Sequence, residues 1–256
     1  MLLLITSALN IKRTVNLFAE LFTEGTFNFM PAVGRVVLHA TSYNGNFQGA
    51  TELDAQSIGG YTASGSSECS YRVNLEHFRN ILNLLSDDEP ISIQGTDLEL
   101  KVTGGGYNFY TEVYDRSVAQ PEMPIPSEYT TKVRRGREIF NAVREHFDAI
   151  QLHNVGCNTV GNVTIAVSRE EVSFEALDHT YTLSCENECV VEDFTSEDIG
   201  RFNWESLKVV MLAAFHRTDW VWIYPSFPDG PPPMIICQVP DIGDIRYYFD
   251  DADDNW

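Results

Sequence analysis

A nine-residue pattern occurs twice in this chain and constrains the fold more than any other feature. Residues 74–82 read NLEHFRNIL, and residues 203–211, 129 positions later, read NWESLKVVM. Both contain Asn, an apolar residue, Glu, any residue, an apolar residue, a basic residue, any residue and two apolar residues. Asn is a favoured helix N-cap, and the apolar positions follow at helical spacing. Because the separation is about half of the 256-residue chain, the repeat predicts two domains with a common plan.

A second pair of helices is predicted at a similar separation. Two stripes of apolar residues at helical spacing lie 125 positions apart: Val15, Phe18 and Phe22, and Phe140, Val143 and Phe147. Each half of the chain is therefore expected to contain one early and one late helix.

Alternating apolar and polar residues, which are typical of half-buried strands, make up much of the remaining sequence. Turn signals such as Asn44-Gly45 and the three glycines at 104–106 separate these segments. In the first half the predicted strands are 1–5, 35–40, 91–94, 98–102 and 107–113. In the second half they are 162–167, 171–174, 181–184, 220–224, 234–239 and 245–249.

A proline-rich segment divides the two halves. Residues 116–127 contain Pro121, Pro124 and Pro126, a density that excludes a sheet interior and favours an extended connector. The predicted organisation is an α+β protein with an N-terminal domain (1–115), an interdomain connector (116–127) and a C-terminal domain (128–256). Each domain is expected to be β-rich and to carry two helices.

The charge of the chain limits the partners it can bind. The sequence has 37 Asp and Glu residues against 17 Lys and Arg, a net charge of −20. Nucleic-acid affinity comes chiefly from basic residues that neutralise phosphates, so DNA binding requires the few cations to lie on one surface. Several lie on the predicted helices: Lys12, Arg13, Arg79, Arg137, Arg144 and Lys208. Composition leaves two interpretations open, namely ordinary surface helices with scattered cations, or a basic lining inside an acidic shell.

Signals for catalysis, metal binding and membrane insertion are weak. Five Cys residues without a regular framework indicate reduced thiols, and Cys185 and Cys189 lack a second pair at zinc-like spacing. The six His residues lie outside any nucleophile elbow, HExxH pattern or phosphate loop. The apolar run at 1–5 is too short for a signal-peptide core or a membrane span. We therefore expect a protein that is not an enzyme, with no cofactor, no metal and no membrane partner.

Four short stretches together carry a resemblance to a known family. Residues 73–82 match that family's Val-Asn-Leu helix, and residues 124–129 (PIPSEY) match the end of its interdomain connector. Residues 233–236 match its late Pro-plus-apolar strand, and residues 241–248 (DIGDIRYY) match its closing strand, which likewise precedes an acidic tail. The order and spacing of these four stretches, together with the total length, make nearly the whole chain resemble the proliferating cell nuclear antigen family of DNA sliding clamps. The resemblance is that of a divergent member.

That resemblance implies the DNA-clamp fold, a ring of three subunits and six domains whose helices line a hole around duplex DNA. Neighbouring subunits would pair strand to strand, through an edge at about 108–115 and another at about 173–183, and ring closure would cover both. The implied function is a polymerase processivity factor in DNA replication and repair, without sequence preference. Implied partners are DNA polymerase, the clamp loader, and nuclease or ligase clients. The implied location is the nucleus for a eukaryote or a virus replicating there, and the cytoplasm otherwise.

The resemblance also implies a client site beneath the connector, where partner proteins insert the aromatic residues of a short peptide motif. Positions matching its apolar wall are Met123, Ile125, Tyr129, Pro233 and Tyr248. Asp250 stands where the family has a small apolar residue. A carboxylate there would disfavour an aromatic plug through desolvation, or would select clients that carry a basic residue.

Departures from the family pattern keep other functions open. Glu20, Asn80, Asn83 and Leu212 stand where the family often has Lys, so the expected helix lining is less basic than usual. One alternative is a subunit of a checkpoint-type or heterotrimeric clamp, although the connector resembles the replicative type more closely. A remoter alternative is an acidic β-rich hydrolase or binding module whose halves are unrelated.

Overall fold

The computed structural model describes residues 2–30, 35–54, 69–96, 98–113, 126, 129, 132–153, 161–185, 189–192, 198–225, 231–240 and 242–249. The chain divides into two compact units. Met1–Asn44, Gln48–Pro121 and Pro240–Ile245 form unit 1, and Gly45–Phe47, Glu122–Val239 and Arg246–Trp256 form unit 2. Within the described residues the protein is α+β, with antiparallel strand pairs and four α-helices.

Unit 1 places two helices beside two groups of four paired strands. The helices are α1 (Ala8–Leu21) and α2 (Leu75–Asn83). The strands are β1 (Leu2–Ser7), β2 (Glu24–Met30), β3 (Arg35–Thr41), β4 (Phe47–Asp54), β5 (Cys69–Asn74), β6 (Pro90–Gly95), β7 (Glu99–Gly104) and β8 (Tyr107–Glu112). One group has the order β1-β6-β7-β8, and the other has the order β4-β3-β2-β5.

Unit 2 contains the remaining elements and Phe47 of β4, while Gly243–Ile245, the first three residues of the last strand, belong to unit 1. Its helices are α3 (Arg137–His153) and α4 (Trp204–Ala213), and a 3₁₀ turn (Phe215–Arg217) follows α4. Its strands are β9 (Lys132–Gly136), β10 (Asn162–Val167), β11 (Glu171–Ala176), β12 (His179–Ser184), β13 (Val190–Glu192), β14 (Asp198–Asn203), β15 (Trp220–Tyr224), β16 (Met234–Val239) and β17 (Gly243–Phe249). The strand orders are β12-β11-β10-β14 and β13-β9-β15-β16-β17.

The two units repeat the same order of elements and the same order of paired strands. In chain order, β12-β11-β10-β14 corresponds to β4-β3-β2-β5, and β9-β15-β16-β17 corresponds to β1-β6-β7-β8. In the described part of the chain, the one addition is β13, which pairs with β9 in unit 2. The predicted α+β fold with two helices in each half is therefore confirmed.

The repeated sequence pattern forms the same helix start in both units. Asn74 and Asn203 have extended backbones and precede α2 and α4. The Asn74 side chain accepts a hydrogen bond from the backbone N–H of His77 at 2.8 Å, and Asn203 accepts one from Ser206 at 3.0 Å. Each side chain thereby satisfies one N–H of the first helical turn, which has no partner within the helix.

The predicted apolar stripes of the early helices lie in the cores. Val15, Phe18 and Phe22 of unit 1 are buried, and the Phe18 and Phe22 rings are 5.6 Å apart. Strand β4 approaches this pair so closely that a Cβ at Gly49 would lie 2.7 Å from the Phe22 ring. In unit 2, Phe140 packs edge-on against Phe215 at 4.8 Å. Phe147 packs against Trp204 of α4 at 5.3 Å, so aromatic packing holds the early helix of unit 2 against α4 and the 3₁₀ turn.

Several strands lie outside the segments predicted from alternation: β2, β4, β5, β9, β13 and β14. The expected single edge strand at 173–183 is also wrong, because this span is a hairpin of β11 and β12. Its turn contains Leu177 and Asp178, which both have positive φ, 49° and 63°, as a two-residue type I′ hairpin turn requires. The domain boundaries at 115 and 128 and most of the connector 116–127 lie outside the described residues.

Replacing either cap residue should destabilise its own unit. We expect Asn74→Ala and Asn203→Ala each to lower the free energy of unfolding by about 1 kcal/mol, because each leaves one helix N–H without its side-chain acceptor. Denaturant titration of each variant measures the loss. Asn80→Ala, an exposed change within α2, is the matched control and should alter stability by less than about 0.5 kcal/mol. A loss at Asn80 equal to that at Asn74 would contradict the capping role.

Candidate functional site

Strands β8 and β12 each lie at an open edge of a sheet. β8 is the last strand of β1-β6-β7-β8, and β12 is the first strand of β12-β11-β10-β14. Within the described ranges, no strand pairs with the outer side of either one. Both overlap the segments expected from the family resemblance to join neighbouring subunits.

The hydrogen-bonding direction of β8 follows from its pairing with β7. The N–H of Val113 donates to the carbonyl of Leu98 at 2.9 Å, in register with the ladder in which Glu112 faces Glu99. Alternate residues of an antiparallel strand direct both backbone groups to the same side. The backbone N–H and C=O groups that point away from β7 are therefore those of Asn108, Tyr110 and Glu112.

The same argument applies to β12. The N–H of Cys185 donates to the carbonyl of Glu170 at 2.8 Å, in register with the ladder in which Ser184 faces Glu171. The backbone groups that point away from β11 are therefore those of Thr180, Thr182 and Ser184. Each edge offers three N–H and three C=O groups, which no side-chain motif of the sequence could identify.

The space beside β8 is open and acidic. One cavity of about 540 Å³ lies between the start of α2 and β8, and its lining includes Glu76, His77, Tyr110 and Glu112. A second, of about 580 Å³, is lined by Leu98, Glu99 and residues 110–113. The ring nitrogen Nε2 of His77 lies 3.5 Å from the carbonyl oxygen of Tyr110, at the limit of a hydrogen bond. Open space therefore adjoins the end of β8 at Tyr110, Thr111 and Glu112.

Lys12, expected to face DNA, is instead buried inside unit 1. Its ammonium donates to the carbonyl of Leu85 and to Asp87 Oδ1, the latter at 2.7 Å, and its side chain is 9 % exposed. The loop between α2 and β6 also accepts hydrogen bonds from the start of α1, because the N–H groups of Ala8 and Leu9 donate to the carbonyls of Glu89 and Asp87. Lys12 therefore fastens this loop to α1, which is a structural role.

Among the other helix cations, the described side chains of Arg79 and Lys208 are half-buried and ion-paired within their own units. Arg79 Nη2 lies 3.6 Å from Glu76 Oε1 one turn away, and Lys208 Nζ lies 2.5 Å from Asp148 Oδ1 on α3. Arg13 and Arg144 are also partly exposed, on α1 and α3. Arg137 begins α3, and its side chain lies outside the described part of the chain.

Carboxylates accompany these cations on every helix. Four partly exposed cations share these helices with six exposed or half-exposed carboxylates: Glu20, Glu76, Glu138, Glu145, Asp148 and Glu205. Pairing with a carboxylate removes much of the field that a cation presents to a phosphate. Over the described side chains, the helix surfaces of both units are therefore not strongly basic.

Three of the predicted client-site residues lie close together in unit 2. The Tyr129 hydroxyl donates to the carbonyl of Pro232 at 2.6 Å, and its ring packs edge-on against Tyr224 at 5.3 Å. The N–H of Phe249 donates to the carbonyl of Pro233, so the strand end that carries Tyr248 lies beside that proline. Tyr129, Pro233 and Tyr248 are all buried. Met123, Ile125 and Asp250 lie outside the described residues.

Other kinds of site can be assessed only for the described residues. In that part of the chain, no group of three or more His, Cys, Asp or Glu side chains is placed to hold a metal ion. No described helix is long and apolar enough to cross a membrane. Comparison with protein-family models gives no match, and comparison with curated proteins gives none either.

Removing the Lys12 ammonium should destabilise unit 1. Lys12→Met keeps most of the aliphatic length but leaves the carbonyl of Leu85 without its charged donor. We expect a loss of about 1–3 kcal/mol, the usual cost of a broken charged hydrogen bond in a buried site. Arg144→Met, at a half-exposed position on α3, is the control and should cost less than about 0.5 kcal/mol. Equal stabilities of the two variants in urea titrations would refute the structural role of Lys12.

Proposed function

We propose that this chain is a subunit of a DNA sliding clamp, which assembles head to tail through β8 and β12 and holds other proteins on duplex DNA. The observation that carries the proposal is the combination of a duplicated two-sheet unit with two open edge strands, β8 in the first copy and β12 in the second. The resemblance of the sequence to the proliferating cell nuclear antigen family supports it independently of that arrangement.

The two open edges support a ring rather than a single isolated chain. They belong to different units and have different sequences, YNFYTE in β8 and HTYTLS in β12. A contact between two different patches is heterologous, and such contacts produce closed rings when the rotation between subunits closes. Open edges also favour aggregation, so a closed assembly removes a liability that each monomer would otherwise carry.

The charges of the helices support loose DNA contact within that proposal. A clamp encircles its substrate, so retention on DNA does not require strong phosphate binding. Arg79 and Lys208 are held by carboxylates on the helices of their own units, which leaves fewer cations to release counterions from DNA. This weak lining also keeps the mixed or checkpoint-type ring as a second candidate, in which other subunits would supply cations.

A proline in the β12 edge should abolish assembly. Thr180→Pro deletes one outward N–H without removing a hydrogen bond to β11, so the monomer should still fold. We expect the native chain to elute as a trimer and Thr180→Pro as a folded monomer in size-exclusion chromatography with light scattering. Thr180→Ala keeps the N–H and should remain trimeric.

The results distinguish a wrong choice of edge strand from a wrong oligomeric state. A trimeric Thr180→Pro variant would show that β12 is not the joining edge. A native chain that stays monomeric at micromolar concentration would contradict a homotrimer. If that monomer forms rings only with a second clamp subunit, the mixed-ring candidate is supported instead.

DNA contact should be independent of sequence and sensitive to salt. Arg137 and Arg144 are seven residues apart on α3 and so share a helix face. Neutralising both with Gln should reduce the slope of log K against log salt by about 0.9 for each phosphate that is no longer neutralised. Binding to a short duplex measured over a salt series provides the slope. Arg35→Gln breaks the ion pair between Arg35 of β3 and Glu52 of β4 and should leave the slope unchanged. A base-specific footprint would argue against this mode.

A further inference from the structure

Two thiols of unit 2 are in contact across a short loop. The Sγ atoms of Cys185 and Cys189 are 3.2 Å apart. Cys185 directly follows β12, and Cys189 directly precedes β13. Because β12 and β13 belong to different sheets of unit 2, the pair lies where the chain passes from one sheet to the other.

The surroundings of the two thiols differ in a way that assigns them different chemical roles. Cys185 is partly exposed, and its backbone is fixed by the hydrogen bond from its N–H to Glu170. Cys189 is 3 % exposed, and its Sγ lies 4.0 Å from the carbonyl oxygen of Leu183. An oxidant in solution therefore reaches Cys185 first, while Cys189 is held next to it.

We propose that Cys185 and Cys189 are a redox-active pair that forms a reversible intramolecular disulfide when the protein meets a hydroperoxide. The Cys185 thiolate attacks a peroxide oxygen, the O–O bond breaks, and Cys185 becomes a sulfenic acid while the first water leaves. The Cys189 sulfur then attacks Cys185 Sγ, the S–O bond breaks, and a second water leaves. In total the two thiols lose two electrons and two protons, and hydrogen peroxide is reduced to two waters.

The disulfide would fasten the strand that distinguishes unit 2 from unit 1. β13 has only three residues, and it pairs with β9 through Val190, Val191 and Glu192. Because a strand of three residues has few backbone hydrogen bonds, it can separate locally from β9. A covalent link to the end of β12 restricts that separation. Oxidation thus tightens the attachment between the two sheets of unit 2.

The other described cysteines lack this arrangement. Cys237 is fully buried in β16, and burial raises the pKa of its thiol, which keeps it protonated and unreactive. Cys69 is partly exposed, like Cys185, and belongs to β5 of unit 1. It provides an internal reference for a thiol of similar exposure.

Mass spectrometry of the full-length chain tests the pair directly. Trypsin releases residues 170–201 as one peptide, which contains Cys185 and Cys189 and no other cysteine. After brief hydrogen peroxide treatment and alkylation, this peptide should lack both alkyl groups, have lost two hydrogen atoms, and regain two alkylatable thiols with dithiothreitol. Because the second step is intramolecular, we expect the pair to oxidise at least about tenfold faster than Cys69.

Single variants separate the two roles. In Cys189→Ser, dimedone should trap the sulfenic acid on Cys185, whereas in Cys185→Ser little adduct should form on Cys189. Hydrogen exchange at 190–192 should slow on oxidation of the native chain and stay unchanged in both variants, while Cys69→Ser should behave like the native chain.

Three results would overturn the proposal. Both thiols of the peptide could remain alkylatable after Cys69 has been oxidised. The disulfide could instead join two copies on a non-reducing gel. Cys185 in the native chain could pass directly to the sulfinic acid, with no disulfide formed at any peroxide concentration.

Discussion

Backbone N–H and C=O groups along a sheet edge require hydrogen-bond partners, and the two units meet this requirement differently. In unit 2, β13 pairs with β9, which corresponds to the outermost strand β1 in unit 1. At β8 and β12, the described residues supply no such partner strand. β8 and β12 are each six residues long, and the proposed assembly depends on these two edges.

Individual ion pairs and packing contacts determine what the cations of this protein do, more than its net charge does. A net charge of −20 would repel a polyanion at long range, but exposed charges are screened beyond about 8–10 Å in physiological salt. Individual cations interact within their own units. Lys12 is bonded to a buried carbonyl, and the guanidinium of Arg134 lies 4.8 Å from the ring centre of Trp220. The chain thus uses part of its small supply of cations for internal packing and ion pairs, which leaves few for phosphates.

Sequence patterns predicted the elements that bury one regular face. Helices with aromatic stripes and alternating strands such as β6, β7 and β10 appear within two residues of where the periodicity places them. Strands such as β9 (KVRRG) and β14 (DIGRFN) were missed, because their polar residues hide the alternation and their pairing partners are distant in sequence. The burial of Lys12 could not be foreseen either, since it depends on a loop 73 residues away that covers the start of α1.

The two open edges are also compatible in side-chain pattern. In both strands the residues with outward backbone groups have exposed side chains, and the third and fifth residues are half-buried and buried. If β8 and β12 pair antiparallel over their full length, the outward residues face one another and can form about six hydrogen bonds. Phe109 then lies opposite Leu183, and Thr111 lies opposite Tyr181, on the face that is buried in both units. A shift of one residue would turn this face to solvent, so burial and backbone pairing select the same register.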